Sequence, residues 1–245
     1  MDNAKIAALI KSQDFEIPTE YEQEKVKNKR KLVRNEFETV GKYDMPFIRN
    51  QDIDVKKIDL WCYTRAKNND TANQNKTIHF FTYDWLFNEI YDNPEKVTQK
   101  LKQYYAVLTP DFSVYTDMPI AVQVYNTFKN RWCGAYLQRL GLKVIPTVEW
   151  GNEDSFEFCF EGIETGSTVA IATYHRDNKE AFLKGYTKML EVINPRQIIC
   201  YGEKISGMDG NITFINPFDY QELKNKMGET EFLKKYMTGE LYPSR

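Results

Sequence analysis

Between about residues 78 and 217 the chain alternates short apolar runs with longer stretches whose apolar residues recur every three or four positions. The first pattern suits strands and the second amphipathic helices. IHFF (78–81), FSVY (112–115), KVIPTV (143–148), STVAIATY (167–174), QIICY (197–201) and ITFI (212–215) read as strands, and LWCYT (60–64) precedes them. Residues 94–105 read as a helix entered at Asn93-Pro94, with Val97, Leu101, Tyr104 and Tyr105 on one face. The clearest helix runs from Pro119 to Gly141. Ile120, Val124, Phe128, Trp132 and Tyr136 follow one another at four-residue steps, and Gly141 suits a left-handed stop. A third helix spans 178–194, and SFEFCFEGI (155–163) reads as a short helix or turn. The tail after 217, with Phe232, Tyr236 and Met237, reads as one or two packing helices.

Strands separated by helices of this length imply right-handed βαβ crossovers. The predicted fold class is therefore α/β, a mostly parallel sheet of about seven strands with βα units, either barrel-like or open. The near-continuous apolar run STVAIATY supports this, because parallel strands are covered on both faces. The first 40 residues read differently. A capping box at Thr19 and Glu22 opens a charged helix over about 20–37, in which KVKNKRKLVR (25–34) holds six basic residues among ten. Glutamates on both sides make it a solvated helix with internal ion pairs, or a local phosphate-binding stripe. The expected organisation is an N-terminal helical appendage over 1–40 and an α/β domain over 41–245.

Composition narrows the chemistry. The 33 basic and 35 acidic residues leave a formal charge of -2, so no whole-molecule field favours nucleic acid or an anionic membrane. Cys62, Cys133, Cys159 and Cys200 form no CxxC pair, which points to buried reduced thiols. With only His79 and His175 a three-histidine zinc site is ruled out, so a metal would be a hard divalent cation such as Mg2+ on carboxylates. No segment reaches the roughly 18 apolar residues of a membrane span, and the N-terminus has no signal-peptide core. The expected location is the cytoplasm, without membrane contact.

In parallel α/β folds ligands sit at the carboxyl ends of strands. The residues following the expected strands are Asp84, Asp117, Glu149-Trp150, His175 and Glu203. Carboxylates gathered on one sheet edge can divide acid and base roles or hold a cation. Asp84, Asp117 and Glu203 are therefore candidate catalytic groups and metal ligands, with His175 a candidate acid or base; each acid is equally suited to cap a helix. Asn126 and Arg131 on the long helix are candidate substrate contacts, Arg131 for a phosphate. Trp132 and Trp150 are candidate stacking partners for a base or sugar. No Walker A loop, GxSxG elbow or Cys-His spacing is present.

Several long words are familiar in order: IHFF, LTPDFSVYTDMP, QVYNTFKNRWCGAYLQ, GLKVIPTVEWG, SFEFCFEGI, GSTVAIAT and RQIICYGE. Over about residues 37–216 the chain resembles the family termed domain of unknown function 4417, found in bacteria, phages and mobile elements. The resemblance implies a bacterial or phage protein and carries no established activity. It leaves two expectations. One is a carboxylate-dependent hydrolase or transferase acting on a nucleotide, nucleic acid or sugar-phosphate. The other is a non-catalytic protein of a phage or plasmid that binds nucleic acid or a host factor, in replication or against host defence.

Overall fold

The computed structural model describes residue 19 and residues 33–173, 178–215 and 220–238. The chain divides into two compact units, Met1–Glu36 and Phe37–Arg245, and the second holds all the strands and helices described below. His175 and residues 20–32 of the charged helix expected over 20–37 lie outside the described residues, and 33–37, which are described, are not helical.

A small antiparallel hairpin, β1 (Thr39–Val40) and β2 (Met45–Pro46), opens the unit. A four-stranded sheet comes next: β3 (Leu60–Cys62), β4 (Thr77–His79), β5 (Ala106–Leu108) and β6 (Val144–Ile145). β7 (Thr168–Ala172), β8 (Gln197–Tyr201) and β9 (Ile212–Ile215) form a three-stranded sheet. Every pairing in these two sheets is parallel and in chain order. An isolated parallel bridge between Thr147 and Ala170 connects them, carried by Val148 N to Ala170 O at 2.8 Å and Ala170 N to Pro146 O at 2.8 Å. The expected single sheet of about seven strands is thus two open parallel sheets, and among the described residues no barrel closes.

Helices lie between the strands: α1 (Glu89–Asp92) and α2 (Pro94–Leu101) before β5, α3 (Ile120–Arg139) before β6, and α4 (Lys179–Ile193) before β8. Two more, α5 (Tyr220–Met227) and α6 (Glu229–Thr238), come after β9. Alternation along the strands sorts two cores. Val169, Ile171, Ile198 and Cys200 pack with Phe182, Tyr186, Met189 and Ile193 of α4. Ala170, Ala172, Ile199 and Tyr201 face the other way, onto Phe81, Leu108 and Ile145. Leu60 of β3 and Ile215 of β9 reach this second cluster too. Strands from both outer edges share one apolar cluster, so the sheets curve around a concave face.

The apolar pattern misplaces one strand. FSVY is not a strand; the ladder instead runs through Ala106–Leu108, a segment adjoining the helix expected over 94–105. That helix stops at Leu101, and Tyr105 N donates to Lys76 O at 2.9 Å as the ladder begins. Pro110 then lacks the N–H a further ladder bond needs. Phe112 and Val114 are still buried, so the alternation is real, but it belongs to a loop.

Candidate functional site: an acidic, aromatic rim at the strand ends

The loop after β5 crosses the carboxyl ends of the strands and is held by three elements. Asp84, beyond β4, accepts from Ser113 N at 3.1 Å and from Ser113 Oγ at 2.9 Å. Glu149, beyond β6, accepts from Val114 N at 3.3 Å, and Asn126 of α3 donates to Ser113 O at 2.6 Å. Ser113 Oγ also lies 3.0 Å from Tyr115 OH. An ionised carboxylate only accepts, so the serine proton goes to Asp84 and the phenol is left to donate to Ser113 Oγ. Partial burial raises the Tyr115 phenol pKa above its ordinary value, the contact with Ser113 opposes this, and the Glu149, Asp84 and Asp111 carboxylates add to the rise. Tyr115 therefore stays protonated at neutral pH.

Apolar side chains collect here in the open. Of the eight large hydrophobic residues exposed among the described residues, six belong to this rim: Tyr83, Trp85, Tyr115, Ile120, Val122 and Tyr125. Tyr83 and Trp85 flank Asp84 at a short 3-10 turn (Asp84–Leu86) and stack at 4.4 Å between ring centres. Asp84, bonded to Ser113, ties that turn to the loop leading into α3. Lys129, the next basic residue along α3, lies 3.9 Å over Phe112 and 5.3 Å from the Tyr125 ring. Its pKa is lowered by burial, with Asp84 opposing.

The residues singled out from the sequence have different fates. Asp84 is part of the rim. Asp117 is exposed on the same loop, but it comes after FSVY, which is no strand; the residue at the true strand end is Asp111. Glu203 is exposed beyond β8, where its backbone oxygen accepts from Thr173 Oγ1 at 2.7 Å. Among the described residues no three His, Cys, Asp or Glu side chains stand close enough to hold a metal ion, so Asp84, Asp117 and Glu203 do not make a three-carboxylate metal site.

Asn126 is a buried loop clamp. Arg131 is 2% exposed, and its guanidinium donates to the backbone oxygens of Glu161, Cys159 and Thr147 and to Asn130 Oδ1. Burial pulls its pKa down to about 10, still charged at neutral pH. With four acceptors engaged inside the protein, it stitches the turn at 159–161 to α3 rather than facing a phosphate. Trp132 is walled in by Phe37, Tyr91 and Tyr136. Trp150 packs on Phe160 and Phe182. Both tryptophans are core, and neither offers a free face.

His79 is not a candidate by sequence position, because it sits inside a strand. It lies on the concave side against Phe81 and Tyr201, at 5.5 and 5.0 Å between ring centres. Its Nδ1 accepts from Phe81 N at 3.2 Å, which leaves the proton on Nε2. Burial, then the Arg65 charge, lowers its pKa to about 3. Ser113, Tyr115, Tyr83, Trp85 and Tyr125 also escape a reading by strand ends. The available signal was an excess: IAVQVY places apolar residues on more than one side of α3 in its first turns.

These features define an α/β protein with parallel sheets and an acidic, aromatic strand-end rim. The chain belongs to the family described as Domain of unknown function (DUF4417), which it matches over residues 37–220. It is similar to the Gene 1 protein of Mycobacterium phage L5, 37% identical over 175 residues, covering 70% of this chain and 76% of that one. The Gene 1 protein of Mycobacterium phage D29 is 34% identical over 174 residues, covering 69% of this chain and 64% of that one. The family therefore includes phage proteins, and neither relative's name carries an activity. No solved structure matches the chain. Among the described residues no helix is long and apolar enough to cross a membrane.

Proposed function

We propose that this chain is a phage-type binding protein whose strand-end rim docks onto another protein, a host factor being the natural partner for such a phage product. The observation that carries this reading is that six of the eight exposed large hydrophobic side chains among the described residues fall on two segments, 83–85 and 115–125, which Asp84 ties together through Ser113. Exposed rings and aliphatic chains concentrated on adjoining segments, with polar residues between them, support an interaction site. Aromatic residues are the side chains most often central to protein interfaces. The test is capture from a lysate of the bacterium that carries the gene, comparing wild type with Trp85→Ser/Tyr125→Ser. Val192→Ser, an exposed apolar position on α4, serves as control. A partner kept by wild type and by the control but lost by the double variant supports the reading. Equal retention by all three refutes it.

One observation favours a second reading, the carboxylate-dependent hydrolase or transferase acting on a nucleotide, nucleic acid or sugar-phosphate. Tyr115, Ser113 and Asp84 form a continuous hydrogen-bonded chain that opens onto solvent at the phenol. Such a chain can take a proton from a bound substrate at the phenol and relay it towards Asp84. A divalent cation such as Mg2+, which needs only one or two protein carboxylates beside water and phosphate oxygens, would be held in this version by Asp84 or its neighbours. Release of phosphate or base from a panel of nucleotides, lost in Tyr115→Phe, would restore it.

A further inference from the structure

The outer strands of the two parallel sheets differ in how they meet solvent. β3 is screened by charge: Asp59 precedes it and pairs with Lys76, and Arg65 and Lys76 lie 3.6 and 5.8 Å over the Trp61 ring. Charged side chains on an outer strand keep other chains from adding to it. β9 has no such guard. It reads Ile-Thr-Phe-Ile, four residues of high strand propensity without a charge or a proline, and all four are half-exposed. It is the last strand of its sheet, paired with β8 along one side.

The phase of that ladder decides which backbone groups face outward. Ile198 N donates to Asn211 O at 2.9 Å, and Gly202 N donates to Ile215 O at 2.9 Å. Alternate residues of a strand turn their backbone groups to opposite sides, so 211, 213 and 215 address β8 while Ile212 and Phe214 address the outer edge. An antiparallel strand seated there exchanges paired hydrogen bonds with Ile212 and Phe214. β9 itself meets this requirement. Turned about a two-fold axis normal to the sheet, Ile212 of each copy stands opposite Phe214 of the other, and the two Thr213 residues meet at the axis. Four backbone hydrogen bonds then close. Ile212 and Phe214 pack on the α4 side of the sheet, whereas Thr213 turns to the other side, where its Oγ1 accepts from Gln197 Nε2 at 3.0 Å. Each opposed pair therefore shares a face. Aromatic with β-branched residues and threonine with threonine are favourable cross-strand pairs, and no like charges are brought together.

We propose that the outer edge of β9 pairs with the same edge of a second copy of this chain, antiparallel and centred on Thr213. Self-complementary pairing of one patch about a two-fold axis is the commonest geometry among soluble oligomers. A four-residue edge buries less than the roughly 1,200 Å2 expected of a stable complex, so the dimer is weak and reversible. This inference is independent of the docking reading. Because the paired strands run in opposite directions, the strand-end rims of the two copies face opposite ways.

Sedimentation equilibrium on the full chain, from about 5 to about 500 μM, measures the association. The average mass is expected to climb from 28.9 kDa towards twice that value. Thr213→Lys opposes two like charges where the side chains approach most closely, and Ile212→Pro removes an outward N–H while sparing the β8 ladder. Each should weaken association at least about tenfold. Val192→Lys places the same charge on the exposed side of α4 and associates as wild type. Thr213→Cys decides the matter if circular dichroism shows that the first two variants fail to fold. Across the axis the two Cα atoms stand about 4.5 Å apart, within disulfide range, so mild oxidant should give a covalent dimer. The wild type, whose four cysteines are buried, gives none under the same conditions. A mass that stays at the monomer value, association indifferent to Thr213→Lys and Ile212→Pro, or a Thr213→Cys protein that does not cross-link each overturns the inference.

Discussion

The two halves of α3 carry similar apolar content, and only one half is covered. From Asn126 to Leu137 nearly every residue is buried, including Arg131 and Trp132, whereas Ile120, Val122 and Tyr125 stand in solvent. The cause is the surface beneath. The second half presses so close that a Cβ on Gly134 would sit 2.4 Å from Ile48 Cδ1 and 2.8 Å from Thr109 Cγ2. The first half begins where β5 has already ended and looks onto the loop at 110–117. Apolar periodicity thus extends past the sheet that explains it, and the surplus is a surface feature. The largest test of this contrast is in the covered half. Arg131→Ala and Trp132→Ala should each cost about 3–5 kcal/mol, one by stranding the carbonyls of Glu161, Cys159 and Thr147, the other by opening a cavity. Urea midpoints measure both. An Arg131→Ala protein as stable as wild type would return Arg131 to the candidate ligand contacts.

A related change probes the other core. Gly185 on α4 faces Trp150 so closely that a Cβ would fall 2.1 Å from Nε1. Gly185→Ala should cost about 1–3 kcal/mol by overpacking, read as a lower midpoint with unchanged denaturant slope.

The concave face supplies a pH test. Unfolded histidine takes up a proton as pH falls below its ordinary 6.5, while folded His79 stays neutral down to about 3. Between those values the unfolded state binds more protons. Stability attributable to this group is therefore intact above 6.5 and declines as pH falls, by about 1.4 kcal/mol for each unit. His79→Gln should flatten the fall of urea midpoints between pH 6 and pH 4. Parallel slopes in the two proteins would show that His79 is accessible to protonation.

The α/β class, the parallel strands after 143 and both long helices were legible, because each buries a regular apolar stripe or run. The error at FSVY has a physical source: Phe112 and Val114 alternate inward as strand residues do, yet the ladder has ended before Pro110. It moves the expected strand-end carboxylate from Asp111 to Asp117. Arg131 misleads because a basic residue on a helix is ordinarily solvent-facing, and periodicity does not show four acceptors converging from 130, 147, 159 and 161. Asp84 is found because it comes after a strand whose apolar run is unambiguous. Its partner Ser113 is 29 residues away, beyond the reach of local pattern.

The smallest stability effect is expected in the exposed half of α3, where it tells most about function. Val122→Ser and Tyr125→Ser remove apolar surface that makes little of the core, so unfolding midpoints should move by no more than about 0.5 kcal/mol. Tyr125 touches the unit mainly by its edge to Tyr91, at 6.1 Å between ring centres. On the docking proposal, a residue that contributes little to folding and still exposes a large ring at the strand ends is there for contact with a partner. If the two serines leave stability alone but remove partner capture, the two halves of α3 serve different ends, one holding the fold and the other presenting it. If they instead destabilise the protein by as much as Trp132→Ala does, the first half is covered in solution after all, and the rim is not a free surface.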